Sequence, residues 1–235
     1  YIMWFRKTLQ LNVAMVIYCE EETYEQIKDV RDKYPLTKFI ISKLNESYYL
    51  KHQNIVNKIA KDNDFLSKIE CKNRVEIKDI PIYNLLQFSK FYFLKKTVDN
   101  NYFNSDIFFW IDAGCSRFFD NINLNKQWPN VEKLKKDKIN IQVRNSLFNE
   151  ISIDQLHYIG LTGNYTTGTL FGGGKEIIEF LEKEIYNEFK HMLSKNCINN
   201  EQIILAVIFK KYRDKFNWFL NTTNKHLPYF EYLSV

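Results

Sequence analysis

Apolar runs of strand length alternate along this chain with segments of helical spacing. "VAMVIYC" (Val13 to Cys19) is such a run. "EEETYEQIKDVRDKY" follows it, with Ile27, Val30 and Tyr34 on one helical face and acids in the first turn. "TKFIISK" (Thr37 to Lys43) reads as the next strand, so the three segments predict a βαβ unit. Strands this apolar throughout suit a sheet covered on both faces.

Helical spacing returns between Ser47 and Ser67, and again in "IPIYNLLQFSKFYFLKKTV". In the latter Pro81 fits a first turn, and Ile82, Leu85, Leu86, Ser89 and Phe93 are expected along one side. Ile107 to Ile111 form a third apolar run, which ends on Asp112, Ala113 and Gly114. Lys133 to Lys138 reads as a solvated charged turn, and "INIQVRNS" (Ile139 to Ser146) alternates as a half-buried strand would. "GTLF" is expected to break at Gly172, Gly173 and Gly174. It then enters a helix with Ile178, Leu181, Ile185, Phe189 and Met192 on one face. "NNEQIILAVIFKKY" is a short apolar helix with Asn199 as its N-cap and Gln202 three residues on, a capping-box arrangement. The tail from Asn221 is irregular and aromatic. No repeat, linker or low-complexity segment divides the chain, so a single α/β domain over residues 1–235 is expected, with ligands outside the carboxyl ends of the strands.

Composition narrows the classes further. At 235 residues the chain can bury a sizeable core, and 45% hydrophobic with 26% charged residues is ordinary for a globular protein. No apolar run approaches the ~18–20 residues of a membrane helix. The net charge of +5 is spread among acids, which permits an anionic ligand but argues against nucleic acid. Cys19, Cys71, Cys115 and Cys197 form no CxxC pair, so neither a zinc knuckle nor a redox motif is expected. A reduced, cytoplasmic setting is the simpler expectation. The sequons at Asn45, Asn164 and Asn221 read as coincidence in an Asn-rich chain. The chain opens on Tyr1 rather than Met, so a targeting segment could have preceded it.

Several residues could carry chemistry, each beside a plain structural reading. Asp112 at a strand end, with small neighbours, is either a hard ligand for Mg²⁺ or Mn²⁺ or a carboxylate that caps the next turn. Gly172 to Gly174 would let backbone amides approach an anion, or simply make a tight connection. They are no Walker A loop, because Thr169 and Glu176 stand where glycine and Ser/Thr belong. Tyr83 and Lys90 lie seven residues apart, suited to a base or sugar and a diphosphate, or to a core tyrosine and a solvated lysine. Glu201 opens a buried helix, where the helix dipole alone can satisfy it. His226 is a metal-ligand or acid/base candidate in a loop, while His52, His157 and His191 read as structural. No Gly-x-Ser-x-Gly elbow or Ser-His-Asp order supports serine hydrolysis.

Taken together, "YNLLQFSKFYFL", "YFNSDIFFWIDAG", "TLFGGGKEIIEFLEKEI" and "NNEQIILAVIFKKYRDKF" resemble the HtrL/YibB family. In order and spacing they also look like nucleotide-sugar-dependent glycosyltransferases of the GT-A fold. The resemblance implies one Rossmann-like GT-A domain with a mostly parallel central sheet flanked by helices. It further implies a nucleoside-diphosphate-sugar donor, UDP among the candidate nucleotides, and a glycan or glycoconjugate acceptor. Asp112 would stand where the family has a strand-end acid, similar to the DxD metal motif, with Mn²⁺ or Mg²⁺ as cofactor. Asp106, His226 or water would complete the metal's shell. Tyr83, Lys90 and Gly114 would face the donor, and Gly172, Gly173 and Gly174 would line the donor-sugar or acceptor side. Glu201 would act as general base in an inverting reaction or steady the charged centre in a retaining one. The chain departs from the pattern in having one acid in Asp-Ala-Gly and no base-holding strand before Trp4, so that strand is expected to precede Tyr1. The reading from another class is a non-catalytic GT-A-like domain that binds a glycan or a protein.

Overall fold

A computed structural model describes residues 1–70, 81–119, 124, 128–144, 150–159, 165–223 and 225–234, for Leu44 the backbone only. Cys71 and Asn164 lie outside these residues. The expected βαβ unit is present. Helix α1 (Ile2–Thr8) precedes strand β1 (Met15–Cys19), helix α2 (Glu21–Ile27) and strand β2 (Thr37–Ile41). β1 and β2 pair in parallel, from Met15 opposite Thr37 to Cys19 opposite Ile41. Arg31 fastens this unit to the segment before it. Its guanidinium donates to the carbonyls of Leu9 (2.8 Å), Leu11 (2.9 Å) and Val13 (2.8 Å), and to Thr37 Oγ1 (3.0 Å). Burial holds the Arg31 pKa down to about 10, and the Tyr34 ring covers the charge.

Short helices α3 (Gln53–Ile59) and α4 (Asn63–Lys68) lead to the long α5 (Pro81–Asn100), which begins at Pro81 as expected. Its buried side differs from the expected one: Asn84, Leu85, Phe88, Ser89, Lys90, Phe91, Leu94 and Val98 are buried, whereas Ile82 is exposed. Polar residues stand on the buried side too, Asn84, Ser89 and Lys90 among them, so helical spacing could not select a face.

The second sheet contains β3 (Phe108–Ile111), β4 (Ile139–Val143), β5 (Thr166–Gly173) and β6 (Phe216–Leu220), in the order β3-β5-β4-β6. β5 runs antiparallel to both β3 and β4, and β6 is parallel to β4. The sheet is therefore mixed rather than mostly parallel. An apolar run records that a strand is buried and carries no sign of its direction, so the sequence pattern could not see this.

Two further expectations fail at the sheet. β4 is buried along its whole length instead of alternating. Its inner positions Ile139, Ile141 and Val143 join the larger core, and its polar ones are buried and satisfied. Asn140 Nδ2 donates to the carbonyls of Lys135 (2.9 Å) and Lys138 (3.0 Å), while Gln142 Nε2 donates to Thr167 Oγ1 (3.0 Å). The glycine run does not break β5: Gly172 and Gly173 belong to the strand, and Gly174 caps α7 (Lys175–Ser194), which follows α6 (Ile153–Tyr158) in the helical layer. A Cβ on Gly172 would stand 2.2 Å from the Phe108 carbonyl oxygen, and one on Gly173 2.4 Å from Ile177. Close backbone packing thus explains these glycines.

Helices α5, α7 and α8 (Glu201–Lys211) cover one face of the sheet with the larger core. The aromatic tail, including α9 (Pro228–Tyr232), covers the other with Trp128, Leu170, Tyr229 and Phe230. The helical layer is tied by a buried charge cluster. Glu188 on α7 meets His157 Nε2 (2.7 Å) on α6 and Lys211 at the end of α8. The Glu188 pKa is held at about 2, because bonds from His157 and Lys211 outweigh the burial that opposes them.

Two outcomes are expected. Gly172→Ala should lose about 1–3 kcal/mol in urea unfolding, since the new methyl meets backbone rather than a yielding side chain. Glu188 has a folded pKa below its unfolded one, so its contribution is complete above about pH 4.5 and disappears as pH falls towards about 2. Glu188→Gln should accordingly flatten stability against pH across that window, measured by denaturant midpoints.

Candidate functional site

Because β3 and β4 both oppose β5, and β6 follows β4, the strands β3, β4 and β6 end at the same edge. Asp112 lies there, one residue past β3, with its amide donating to the Thr169 carbonyl at 3.0 Å. Side chains two apart on a strand share a face, and Trp110 Nε1 donates to Asp112 Oδ1 at 2.6 Å. From the helical layer Lys90 reaches the same oxygen, its Nζ 3.3 Å away. Lys90 Nζ is also 3.1 Å from Glu201 Oε1 and donates to the Gly168 carbonyl at 3.2 Å.

Glu201 is placed by the start of α8. The N-cap is Asn200, whose Oδ1 accepts from Gln202 N (3.0 Å) and Ile203 N (3.1 Å). This corrects the expected cap, Asn199, which instead donates to the His157 and Ile159 carbonyls. Thr166 Oγ1 bonds the Gln202 carbonyl (2.8 Å) and pins the helix to β5. Gly168 is required beneath it, since a Cβ there would lie 2.5 Å from Glu201 Oε1. The β4–β5 register shifts between Ile141 and Val143, and beyond that shift Thr166 and Gly168 face α8, whereas Phe171 faced the core before it. Such irregularities re-aim side chains near sites.

The electrostatics follow from depth. Lys90 is 2% exposed, Glu201 4%, and the Asp112 side chain 29%. Burial alone would push the Lys90 ammonium's pKa down, but Asp112 and then Glu201 outweigh it and hold it above its ordinary range. A cation between two carboxylates leaves one net negative charge, and Asp112 is the member that reaches solvent. Its Oδ2 takes no hydrogen bond among the described residues.

The structure thus brings together Asp112, Lys90 and Glu201 from segments far apart in sequence. Of the other candidates, Gly114 stands in the turn that Asp112 opens, and the rest lie elsewhere. Tyr83 sits exposed in the first turn of α5, unlike Lys90. Gly172, Gly173 and Gly174 flank the opposite end of β3, Gly173 being paired with Phe108. Gly114 lies under the Tyr1 ring, whose hydroxyl accepts from the Gly114 amide at 3.2 Å. Asp106 pairs with Lys136 (2.6 Å) before β3 begins, about 20 Å of extended chain from Asp112. The His226 ring stacks on Phe118 at 4.0 Å, and its pKa is lowered to about 4 by burial and by the charges of Arg144 and Arg117. Those surroundings repel a cation. Among the described residues no group of His, Cys, Asp or Glu side chains forms a metal cluster. Asp112 Oδ2 alone fits a divalent ion, and only one whose shell is otherwise water and ligand oxygens, as Mg²⁺ tolerates.

Sequence reasoning missed Trp110 and Gly168. The first was legible from period-two spacing on β3; the second carries no local signal. It also missed a cavity of about 560 Å³ between β1 and β3, whose walls include Tyr18, Glu20, Thr97, Trp110 and Ala113. Its size is in the range of small-molecule sites.

These features define an α/β domain with a lysine-bridged carboxylate pair at the carboxyl edge of a mixed sheet. Residues 1–230 match the family described as "Bacterial protein of unknown function (HtrL_YibB)", and the chain belongs to that family. No curated protein and no solved structure matches the chain. Among the described residues no helix is long and apolar enough to cross a membrane.

Removing the bridging cation leaves two carboxylates facing each other with little water. Lys90→Met should therefore cost about 3–5 kcal/mol in chemical denaturation. Adding Glu201→Gln should recover part of that loss, and strict additivity of the two changes would contradict the coupling.

Proposed function

We propose that this chain is a glycosyltransferase that passes a sugar from a nucleoside-diphosphate sugar to a hydroxyl of a glycan or glycoconjugate. The observation that carries the reading is Asp112, braced by Lys90 and Trp110 at a strand end, with Oδ2 unbonded among the described residues and a cavity of nucleoside size beside it. Ligands of open α/β sheets bind at such strand ends. The resemblance in segment order to GT-A enzymes supplies the reaction class.

In this reading Asp112 receives the donor's diphosphate end through Oδ2. A divalent ion bound there, Mg²⁺ or Mn²⁺, would supply Lewis-acid neutralisation of the leaving diphosphate. Lys90 serves the acids rather than the diphosphate: its ammonium is spent on Asp112, Glu201 and Gly168, so it fixes their positions and balances their charge. Of the two roles open to Glu201, its burial and its bond to Lys90 favour steadying positive charge over taking a proton. A general base has to meet the acceptor hydroxyl within about 3 Å.

The test is a thermal-shift and calorimetry screen of UDP, GDP and CDP sugars with and without Mn²⁺. One donor present at ~100 times its dissociation constant should stabilise the fold by about 2.7 kcal/mol. Asp112→Asn keeps an acceptor for Trp110, so it should retain the fold and lose that response. Undiminished Mn²⁺-dependent nucleotide binding in Asp112→Asn would refute the assignment. A flat response to every donor would favour the glycan- or protein-binding domain instead.

A further inference from the structure

A second group of charges lies at the same edge of the sheet, on the face packed by the aromatic tail. Gln142 on β4 projects to that face: its Nε2 donates to the His226 carbonyl (3.1 Å) and its Oε1 accepts from the Tyr229 amide (3.1 Å). Arg144 follows two residues later, one past the end of β4, and extended spacing directs it to the same side. Its amide is bonded to the Tyr165 carbonyl (2.9 Å), which fixes the backbone that carries it. From the turn after β3, Arg117 places its guanidinium over the Phe118 ring (4.6 Å), and that ring stacks on His226 (4.0 Å). Arg117, Phe118 and His226 are therefore contiguous, and the backbone after β4 carries Arg144 towards the same ring.

Among the described residues neither arginine forms an ion pair with a carboxylate, although the chain offers many acids. Arg144 is half-buried, and burial lowers its pKa. The charges of both arginines reach the His226 ring. Holding Arg144 partly out of water near a second guanidinium, with no carboxylate partner among the described residues, is unfavourable in the absence of a ligand. Guanidinium forks match phosphate oxygens with paired hydrogen bonds.

We infer that Arg117 and Arg144, with Phe118 and His226 as the wall between them, form a binding site for a phosphate-bearing ligand, distinct from the Lys90–Asp112–Glu201 group. It does not depend on the sugar-transfer reading, because no carboxylate or metal takes part in it. The ligand class is a phosphomonoester or diphosphate, the two sharing the oxygens that a pair of guanidiniums recognises.

Isothermal titration with inorganic pyrophosphate and with phosphate, in EDTA and low salt, tests it. The unmodified chain should bind pyrophosphate, and Arg144→Gln should weaken binding about tenfold or more, as expected for loss of a charge-assisted contact. Arg117→Gln, at an exposed position, should weaken it comparably and guards against a folding defect in the first variant. Lys175→Gln, an equal change in net charge elsewhere, should leave the affinity within about twofold. No pyrophosphate binding at millimolar concentration, or equal loss in Lys175→Gln, overturns the site. Pyrophosphate binding that persists undiminished in both arginine variants also overturns it, and leaves the sugar-transfer reading untouched because EDTA removes the divalent ion that reading calls for.

Discussion

The buried ammonium of Lys90 is the contact on which the arrangement of the carboxyl edge depends. It joins α5 to the end of β3 through Asp112, to β5 through the Gly168 carbonyl, and to the start of α8 through Glu201. A lysine at that depth is tolerable only with compensation, and each carboxylate in turn tolerates the low-dielectric setting because of the lysine. Neighbouring features serve the same geometry. Gly168 leaves space for Glu201, Asn200 caps the helix that carries it, and Trp110 fixes the Asp112 carboxylate from the strand side. Well-packed apolar residues would hold these elements together at least as firmly, so stability alone does not account for the charges, and the sugar-transfer proposal assigns them a ligand.

One edge of the sheet is divided by charge. The helical face carries a net negative group with one solvent-reaching carboxylate, and the aromatic-tail face carries Arg117 and Arg144, which have no carboxylate partner among the described residues. Polar side chains set that division. Gln142, inside a strand buried on both faces, is satisfied by Thr167, His226 and Tyr229 and so positions the loop beside Arg144. The cavity between β1 and β3 lies next to the acidic group, and a donor's nucleoside would enter there under the sugar-transfer proposal.

Much of this was legible locally. The βαβ unit, the start of α5 at Pro81, the strand ending on Asp112 and the amphipathic face of α7 all follow from apolar spacing and helix-end residues. Each depends on neighbours within one or two turns. The errors share a cause. The glycine run, read as a break, lies in β5 because backbone packs against it, and β4 is buried on its polar side because a distant tail covers it. Tyr83 and Lys90, equivalent on a helical wheel, differ because only one of them meets the sheet.

The sequence by itself determined the βαβ unit, the helices at Pro81, Lys175 and Glu201, an α/β character, and a carboxylate, Asp112, at the end of an apolar strand. These are properties of local spacing, burial preference and the cost of hiding a lone carboxylate. β6, and the α9 turn in a tail read as irregular, carried no local signal. Tertiary structure decided the direction of β5, and with it the mixed sheet that brings the ends of β3, β4 and β6 to one edge. It alone decided that Lys90 bridges Asp112 and Glu201, since the residues of that pair of contacts stand 22 and 111 positions apart and no local rule relates them. Long-range electrostatics is a property of the folded chain, because a charge's partners are fixed only when the elements bearing them pack.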